Sequence, residues 1–338
     1  MKLSVIQNKI EEILNKHHLT IELPKSPQKM QEFSSLIDSQ DEIVKDLNLF
    51  SGNFYQELEM DSPYINTHFD SGLLAGNVQL HSHSFYEILY CTDGTVQYLV
   101  SDRRYHIQKG DIVFIPPGVS HCPIFYDDMK MKYSRIVLWV SNLYIKTLTD
   151  QWNLAEISSD LLSTAFLLRT DGTRLADLGR YFTRGLYETD KKEPFWATIL
   201  YANTGALLSE LFRATTLYKD NLPTARKDSL DPIISFIEYH FKEKLSLEAV
   251  AKEFHISIST LGKLFKDRLN TGFYHFITQR RLIYAKKQIE LGSAMEEIAV
   301  TCGFSDYSSF YRAFKKEYGI SPREYKTLIE NQGDGSAG

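Results

Sequence analysis

The sequence predicts an α+β multidomain chain: a small β-barrel with a helical extension before it and a helical connector after it, followed by an all-α unit. Two observations carry this. Between about residues 66 and 140, short runs rich in β-branched and aromatic residues alternate with turn residues such as Asp93-Gly94 and Lys109-Gly110-Asp111. From Asp231 to about Lys326 the period becomes helical, and two short helix pairs recur, each with a turn ending in Ser or Asp ahead of its second helix.

The predicted units are residues 1–60, 61–141, 142–217, 218–230, 231–328 and a flexible tail at 329–338. In the first, Ile6, Ile10, Ile13 and Leu14 form one helical stripe. Met30, Phe33, Leu36 and Ile37 form a second beyond the Pro24 to Pro27 break. A packing extension is the simple reading of that unit. The second unit carries strand-like runs at 80–90, 96–100, 105–107, 112–115 and 133–140, which suit a sandwich or small barrel. In the third, Trp196, Ile199, Leu200, Leu207, Leu208 and Leu211 share a helical face, expected to pack within the chain or, preferably, on its own copy in a homodimer. The fourth, with Asp220, Asn221 and Pro223, is a polar connector.

With 338 residues, 43% hydrophobic, the chain can bury a sizeable core. A net charge of −5 argues against nucleic-acid binding by the whole surface. The segment 231–326 holds 15 Lys and Arg against 12 Asp and Glu, which leaves about −8 for the remainder. Cys91, Cys122 and Cys302 show no paired spacing, so buried thiols in a reducing compartment are expected. No continuous apolar run suggests a signal peptide or membrane span, and a cytoplasmic location with no membrane partner is the expectation.

Chemistry-bearing residues cluster in the β region. His81, His83 and Glu87 have the same parity, so a single strand would aim them at one face, with His121 arriving from a neighbour. Two imidazoles, a carboxylate and a third imidazole suit a first-row divalent metal. Tyr86, Tyr98, Phe114, Phe125 and Trp139 could stack on a sugar or another planar ligand, although aromatics in strands are more often core. No nucleophile near these histidines shows a catalytic arrangement.

The pattern His81-x-His83-x3-Glu87-x6-Gly94, then Gly110-x5-Pro116-x-Gly118-x2-His121, resembles the two motifs of the cupin superfamily over roughly residues 65 to 140. The resemblance implies that His81, His83, Glu87 and His121 are the ligands if the barrel is metallated. It also implies a metal-free alternative: an effector pocket of His81, His83, Glu87, Tyr98 and His121, as in many cupin domains joined to DNA readers. Phe125 departs from the pattern, standing where the second motif usually has Asn.

In the all-α unit, Leu261, Leu264 and Phe265 form the inner face of one candidate recognition helix, and Phe310, Ala313 and Phe314 that of the other. Ser259, Thr260, Gly262 and Lys263, and Tyr307, Ser308, Tyr311 and Arg312, are then free to enter a major groove of double-stranded DNA. Arg280, Arg281, Lys286, Lys287, Lys315 and Lys316 would neutralise phosphates. A connecting helix of about 18 residues spans about 27 Å, comparable with the ~34 Å between successive major grooves on one face.

The run from Ile233 to Lys326 is similar to the AraC/XylS family of bacterial transcription regulators. The ordered matches are Leu247-x2-Val250-Ala251, Ser257-x3-Leu261-x3-Phe265-Lys266, Arg281-Leu282-x2-Ala285, Ile298-Ala299-x3-Gly303-Phe304, Phe310-x3-Phe314-Lys315-Lys316 and Gly319-Ile320-Ser321-Pro322-x2-Tyr325. The resemblance implies a non-enzymatic promoter-binding regulator that reads bases through Ser259, Gly262, Lys263, Ser308 and Arg312. It also implies a small-molecule effector, a homodimer, and RNA polymerase as a further partner. His255 and Asn270 stand where the family usually has Gly, so both are expected at positive φ. The rival readings are a metal-dependent cupin enzyme with a DNA-binding domain, and a regulator controlled by a protein partner.

Overall fold

The computed structural model describes residues 3–19, 42–43, 46, 60–71, 80–124, 133–151, 159–218, 222 and 229–327. The second N-terminal stripe, Phe125, most of the connector at 218–230 and the tail lie outside these residues. Helix α1 (Leu3–Lys16) buries Ile10 and Leu14, as its stripe predicts.

Among the described residues, eight strands form two antiparallel sheets. Strands β1 (Ile65–Ser71), β2 (Tyr86–Asp93), β5 (Asp111–Ile115), β7 (Ser134–Val140) and β8 (Phe166–Arg169) give a five-stranded sheet in the order β1-β7-β2-β5-β8. Strands β3 (Thr95–Val100), β4 (Arg103–Gln108) and β6 (His121–Ile124) give a three-stranded sheet in the order β4-β3-β6. Strand alternation divides the larger sheet into two faces. Leu89, Cys91, Val113, Val137 and Trp139 point into a core shared with Val96, Tyr98 and Ile107 of the smaller sheet. Ile88, Ile112, Phe114, Ile136 and Leu138 point the other way, under helices.

Those helices are α2 (Asn142–Gln151), α3 (Ser159–Ser163), α4 (Gly179–Lys191) and α5 (Trp196–Leu217). Leu200, Leu207, Leu208 and Leu211 of α5 are buried in this second core. The stripe expected to seek a second copy is therefore covered by the chain's own sheet and helices. A further correction concerns the connector, which is not wholly helical: Phe166–Arg169 forms strand β8 on β5. Its four residues are too short for alternation to stand out beside helical neighbours.

The last unit is all helical: α6 (Asp231–His240), α7 (Leu247–Glu253), α8 (Ile258–Leu269), α9 (Phe273–Glu290), α10 (Met295–Thr301) and α11 (Tyr307–Tyr318). Helices α7 and α8 form the first helix-turn-helix, α10 and α11 the second, with the 18-residue α9 between them. His255 (φ 53°) and Asn270 (φ 51°) adopt the left-handed conformation expected of them. The three cysteines are free and buried, and burial pushes the thiols of Cys91 and Cys122 up to about 12. No helix of the described residues is long and apolar enough to cross a membrane.

Candidate effector site and nucleic-acid interface

The barrel site is assembled by loops as much as by strands. Residues 82–85 are not strand, so His81, His83 and Glu87 do not share one strand face. His81 forms an isolated antiparallel bridge with His121, and Glu87 is the second, buried residue of β2. His83 is held by a local turn in which its Nδ1 lies 2.9 Å from the Phe85 carbonyl oxygen. His121 Nδ1 lies 2.9 Å from the Val119 carbonyl oxygen. A carbonyl only accepts, so each ring carries a proton on Nδ1, and the neutral ring presents an Nε2 lone pair.

Both Nε2 atoms face Glu87. Its Oε2 lies 3.0 Å from His121 Nε2 and 3.6 Å from His83 Nε2. The three atoms lie within 4.8 Å of one another, are buried, and make no well-directed hydrogen bond among the described residues. The other Glu87 oxygen accepts from Trp139 Nε1 at 3.0 Å, which fixes the carboxylate plane. Burial alone would raise the Glu87 pKa, but His121 and His83, when their rings are protonated and donate from Nε2, outweigh it and hold the carboxyl well below its usual range. Burial likewise lowers His83, against the pull of Glu87. With both rings neutral, the site is a carboxylate with two further acceptors, which calls for a cation or for hydrogen-bond donors.

A first-row divalent ion fits this donor set. Ligand bonds of ~2.0–2.2 Å in tetrahedral or octahedral geometry put neighbouring ligand atoms ~3.0–3.5 Å apart, comparable with the two measured separations. Hydroxyl or ammonium groups of an organic effector satisfy the same acceptors. His81 is buried, with its ring centroid 4.3 Å from that of His121, yet it is not one of the convergent donor atoms.

The aromatics divide by strand parity. Tyr98 faces the site, its ring stacked 6.3 Å from His121 and its hydroxyl accepting from Arg135 Nη1 at 3.0 Å. Trp139 faces it too. Tyr86 and Phe114 do not: their rings pack 5.6 Å apart in the outer core beside Phe212. The interior also holds what sequence reading missed, Arg135 bound by Nε and Nη2 to Asp70 at 3.0 and 2.7 Å. Arg135 lies on the strand-like run 133–140, but Asp70 lies on none of the runs, and nothing in one strand names its partner.

In the helical unit, side-chain caps aim both candidate readers. Ser257 Oγ accepts from Thr260 N at the start of α8, and Asp306 Oδ1 from Ser309 N, at 2.7 Å, at the start of α11. Leu261, Phe265, Phe310 and Phe314 are fully buried, which turns Ser259, Thr260, Lys263, Ser308, Arg312, Lys315 and Lys316 to solvent. Gly262, Tyr307 and Tyr311 are half-buried. Ser257 Oγ also lies 2.8 and 2.7 Å from the hydroxyls of Ser259 and Thr260, and Arg312 Nη2 reaches Ser309 Oγ at 3.4 Å.

Three of the cations expected on phosphates have structural work instead. Arg280 pairs with Glu238, and Arg281 donates at 2.7 Å to the carbonyls of Phe241 and Glu243. Lys286 is buried, its ammonium about 5.0 Å over Tyr318 and 5.1 Å over Tyr325. Helical period alone could not separate these from Lys287, Lys315 and Lys316, which are exposed.

Comparison with known proteins agrees with both halves. Residues 76–125 match the family model of an AraC-like ligand binding domain, and residues 250–327 that of a helix-turn-helix domain. The chain is 25% identical over 260 residues to the HTH-type transcriptional activator RhaS of Escherichia fergusonii, covering 73% of this chain and 86% of that one. Among solved structures it is similar to the C-terminal domain of AraT, a response regulator from Geobacillus stearothermophilus, with 29% identity over 30% of this chain and 86% of that chain, and a TM-score of 0.30. ToxT from Vibrio cholerae matches at 14% identity over 78% of this chain and 97% of that one, with a TM-score of 0.32. The relatives are regulators rather than enzymes. The chain is a helix-turn-helix transcription regulator of the AraC family with an N-terminal AraC-type ligand-binding domain.

Proposed function

We propose that this regulator reads promoter DNA through α8 and α11 and is controlled by a small-molecule effector held at His83, Glu87 and His121, with Tyr98 and Trp139 as neighbours. The observation that carries the reading is the buried, convergent acceptor set, whose lone pairs are left for a ligand. Arg312 and Lys263 donate to guanine edges, Ser259, Thr260 and Ser308 make exchangeable contacts, and Lys315 and Lys316 hold phosphates. Tyr307 and Tyr311 pack on each other on the same helix, with ring centroids 6.3 Å apart. The effector favours one arrangement of the readers over another, which requires different affinity for the two states. The protein acts as a homodimer on paired half-sites, together with RNA polymerase in the bacterial cytoplasm.

The donor geometry supports a second reading, in which His83, Glu87 and His121 hold a divalent ion and His81 stands beside it. Such an ion would supply a fixed positive charge for an effector oxygen. Metal analysis of purified protein separates the two: one equivalent of metal, lost in Glu87→Gln and retained in His81→Ala, favours the ion, and no metal in the wild type favours the organic effector alone.

Selection of bound sites from random DNA tests the DNA assignment. Arg312→Ala should relax preference at one base position at a cost of about 1–3 kcal/mol, whereas Lys315→Ala should weaken all sequences evenly. Unchanged binding in both variants would remove α11 from the interface.

A further inference from the structure

Helix α6 begins the DNA-reading unit and lies on the outer face of the three-stranded sheet. Leu230, Ile233, Ile234 and Ile237 join the buried cluster that holds Leu99, Tyr105 and Cys122. Above this apolar contact, one stripe of α6 is polar: Asp231, Ser235 and Glu238 are spaced i, i+4 and i+7, so they share a face. Each engages a different neighbour. Asp231 Oδ1 accepts from Arg104 Nε at 2.7 Å, with both side chains largely buried. Ser235 Oγ donates to Asp102 Oδ2 at 3.0 Å. Glu238 pairs with Arg280 of α9, the helix that joins the two readers, and Asp102 also acts electrostatically on Arg280.

Asp102 lies in the β3–β4 turn, where Ser101 is held at a φ of 56°, and Arg104 is the second residue of β4. That turn is tied to the effector site through the backbone. Val100 is the register partner of His121, and Ser101 N donates to the Ser120 carbonyl at 2.7 Å. Asp102, whose carboxylate holds α6, therefore lies two positions along the chain from the strand partner of a site imidazole.

We propose that the β3–β4 turn and the start of β4, residues 101–104, transmit the state of the barrel site to the DNA readers through a polar latch of Arg104 on Asp231 and Asp102 on Ser235. This rests on the reading of His83, Glu87 and His121 as the controlling site. A shift of β6 at His121 moves Ser120 and Ser101 together, and the turn carries the shift to α6. Glu238 and Arg280 pass it to α9 and so to the relative placement of α8 and α11. Arg104 and Asp102 are positioning residues, distant from any base or effector.

The test uses full-length protein and a DNA site recovered by selection, with Glu87→Gln as the barrel perturbation and His121→Asn as a second one should the first fail to fold. DNA affinity is measured with and without the perturbation in three backgrounds: wild type, Arg104→Glu, and Arg104→Glu with Asp231→Arg. The perturbation should change affinity by at least about fivefold in the wild type and in the charge-swapped pair, and by under about twofold in Arg104→Glu. An undiminished effect in Arg104→Glu would overturn the latch. Amide exchange across residues 231–240 gives an independent reading, expected to accelerate in Arg104→Glu and recover in the swap; unchanged exchange would also overturn it. If neither barrel variant alters wild-type DNA affinity while exchange still responds, the control reading itself falls and takes the relay with it.

Discussion

At the residue scale, two glycines of the DNA-reading unit have opposite meanings. Gly303 has a φ of 87°, and a Cβ there would stand 2.5 Å from the Lys242 carbonyl oxygen. Gly303→Ala should therefore destabilise the unit by more than the ~1 kcal/mol typical of a strained Ala at positive φ, seen as a lowered urea midpoint. Gly262 lies inside α8, and a Cβ there would meet nothing within 4 Å. Gly262→Ala should stabilise by about 0.5–1 kcal/mol and leave binding of the wild-type site intact unless the backbone itself approaches a base. His68 adds a pH dependence. Burial, opposed by the Asp70 carboxylate, lowers its pKa from 6.5 to about 4. The unfolded chain binds more protons than the native one between these values, so stability is full above pH 6.5 and falls as pH drops toward 4. Urea midpoints at neutral pH and near pH 5 should differ, and His68→Asn should reduce the difference.

At the element scale, paired strands carry charges that no single strand explains. Strands β1 and β7 align Asp70 with Arg135 directly across the ladder, and the guanidinium also reaches the Tyr98 hydroxyl on the facing sheet. Removing one member of so buried a pair leaves the other charge without compensation, so Asp70→Ala should cost about 3–5 kcal/mol in chemical denaturation. The strand-rich texture of 66–140 and the helical periods of α1, α5, α8, α9 and α11 were legible because alternation and the 3.6-residue repeat are local properties. Strand β8 and the short β6 were not, because four residues carry too little pattern and depend on a neighbour to become strands.

At the scale of the whole molecule, the charge reaching DNA is smaller than the sequence suggests. With Arg280, Arg281 and Lys286 committed internally, exposed cations such as Lys263, Lys287, Arg312, Lys315 and Lys316 remain for the duplex. Binding should still weaken with salt. Lys315→Ala should reduce the magnitude of the log–log salt slope by about 0.9, whereas Lys286→Ala should leave the slope unchanged and lower thermal stability. The α5 stripe is covered within the chain, so the proposed homodimer needs a different surface, and cross-linking at α5 buried positions should yield no dimer-specific product.

The sequence by itself determined the order of units, the two helix-turn-helix segments with their inner faces and caps, and the histidines and glutamate of the barrel. Each is written in local spacing or in side-chain chemistry. Tertiary structure alone decided which donor atoms converge, since the His83 and His121 tautomers follow from carbonyls brought within reach by turns and strand pairing. It alone decided which cations turn inward, and that Asp102 and Arg104 meet α6 across more than 120 residues of chain. Such contacts depend on the relative placement of whole elements, and no periodicity within one element encodes that placement.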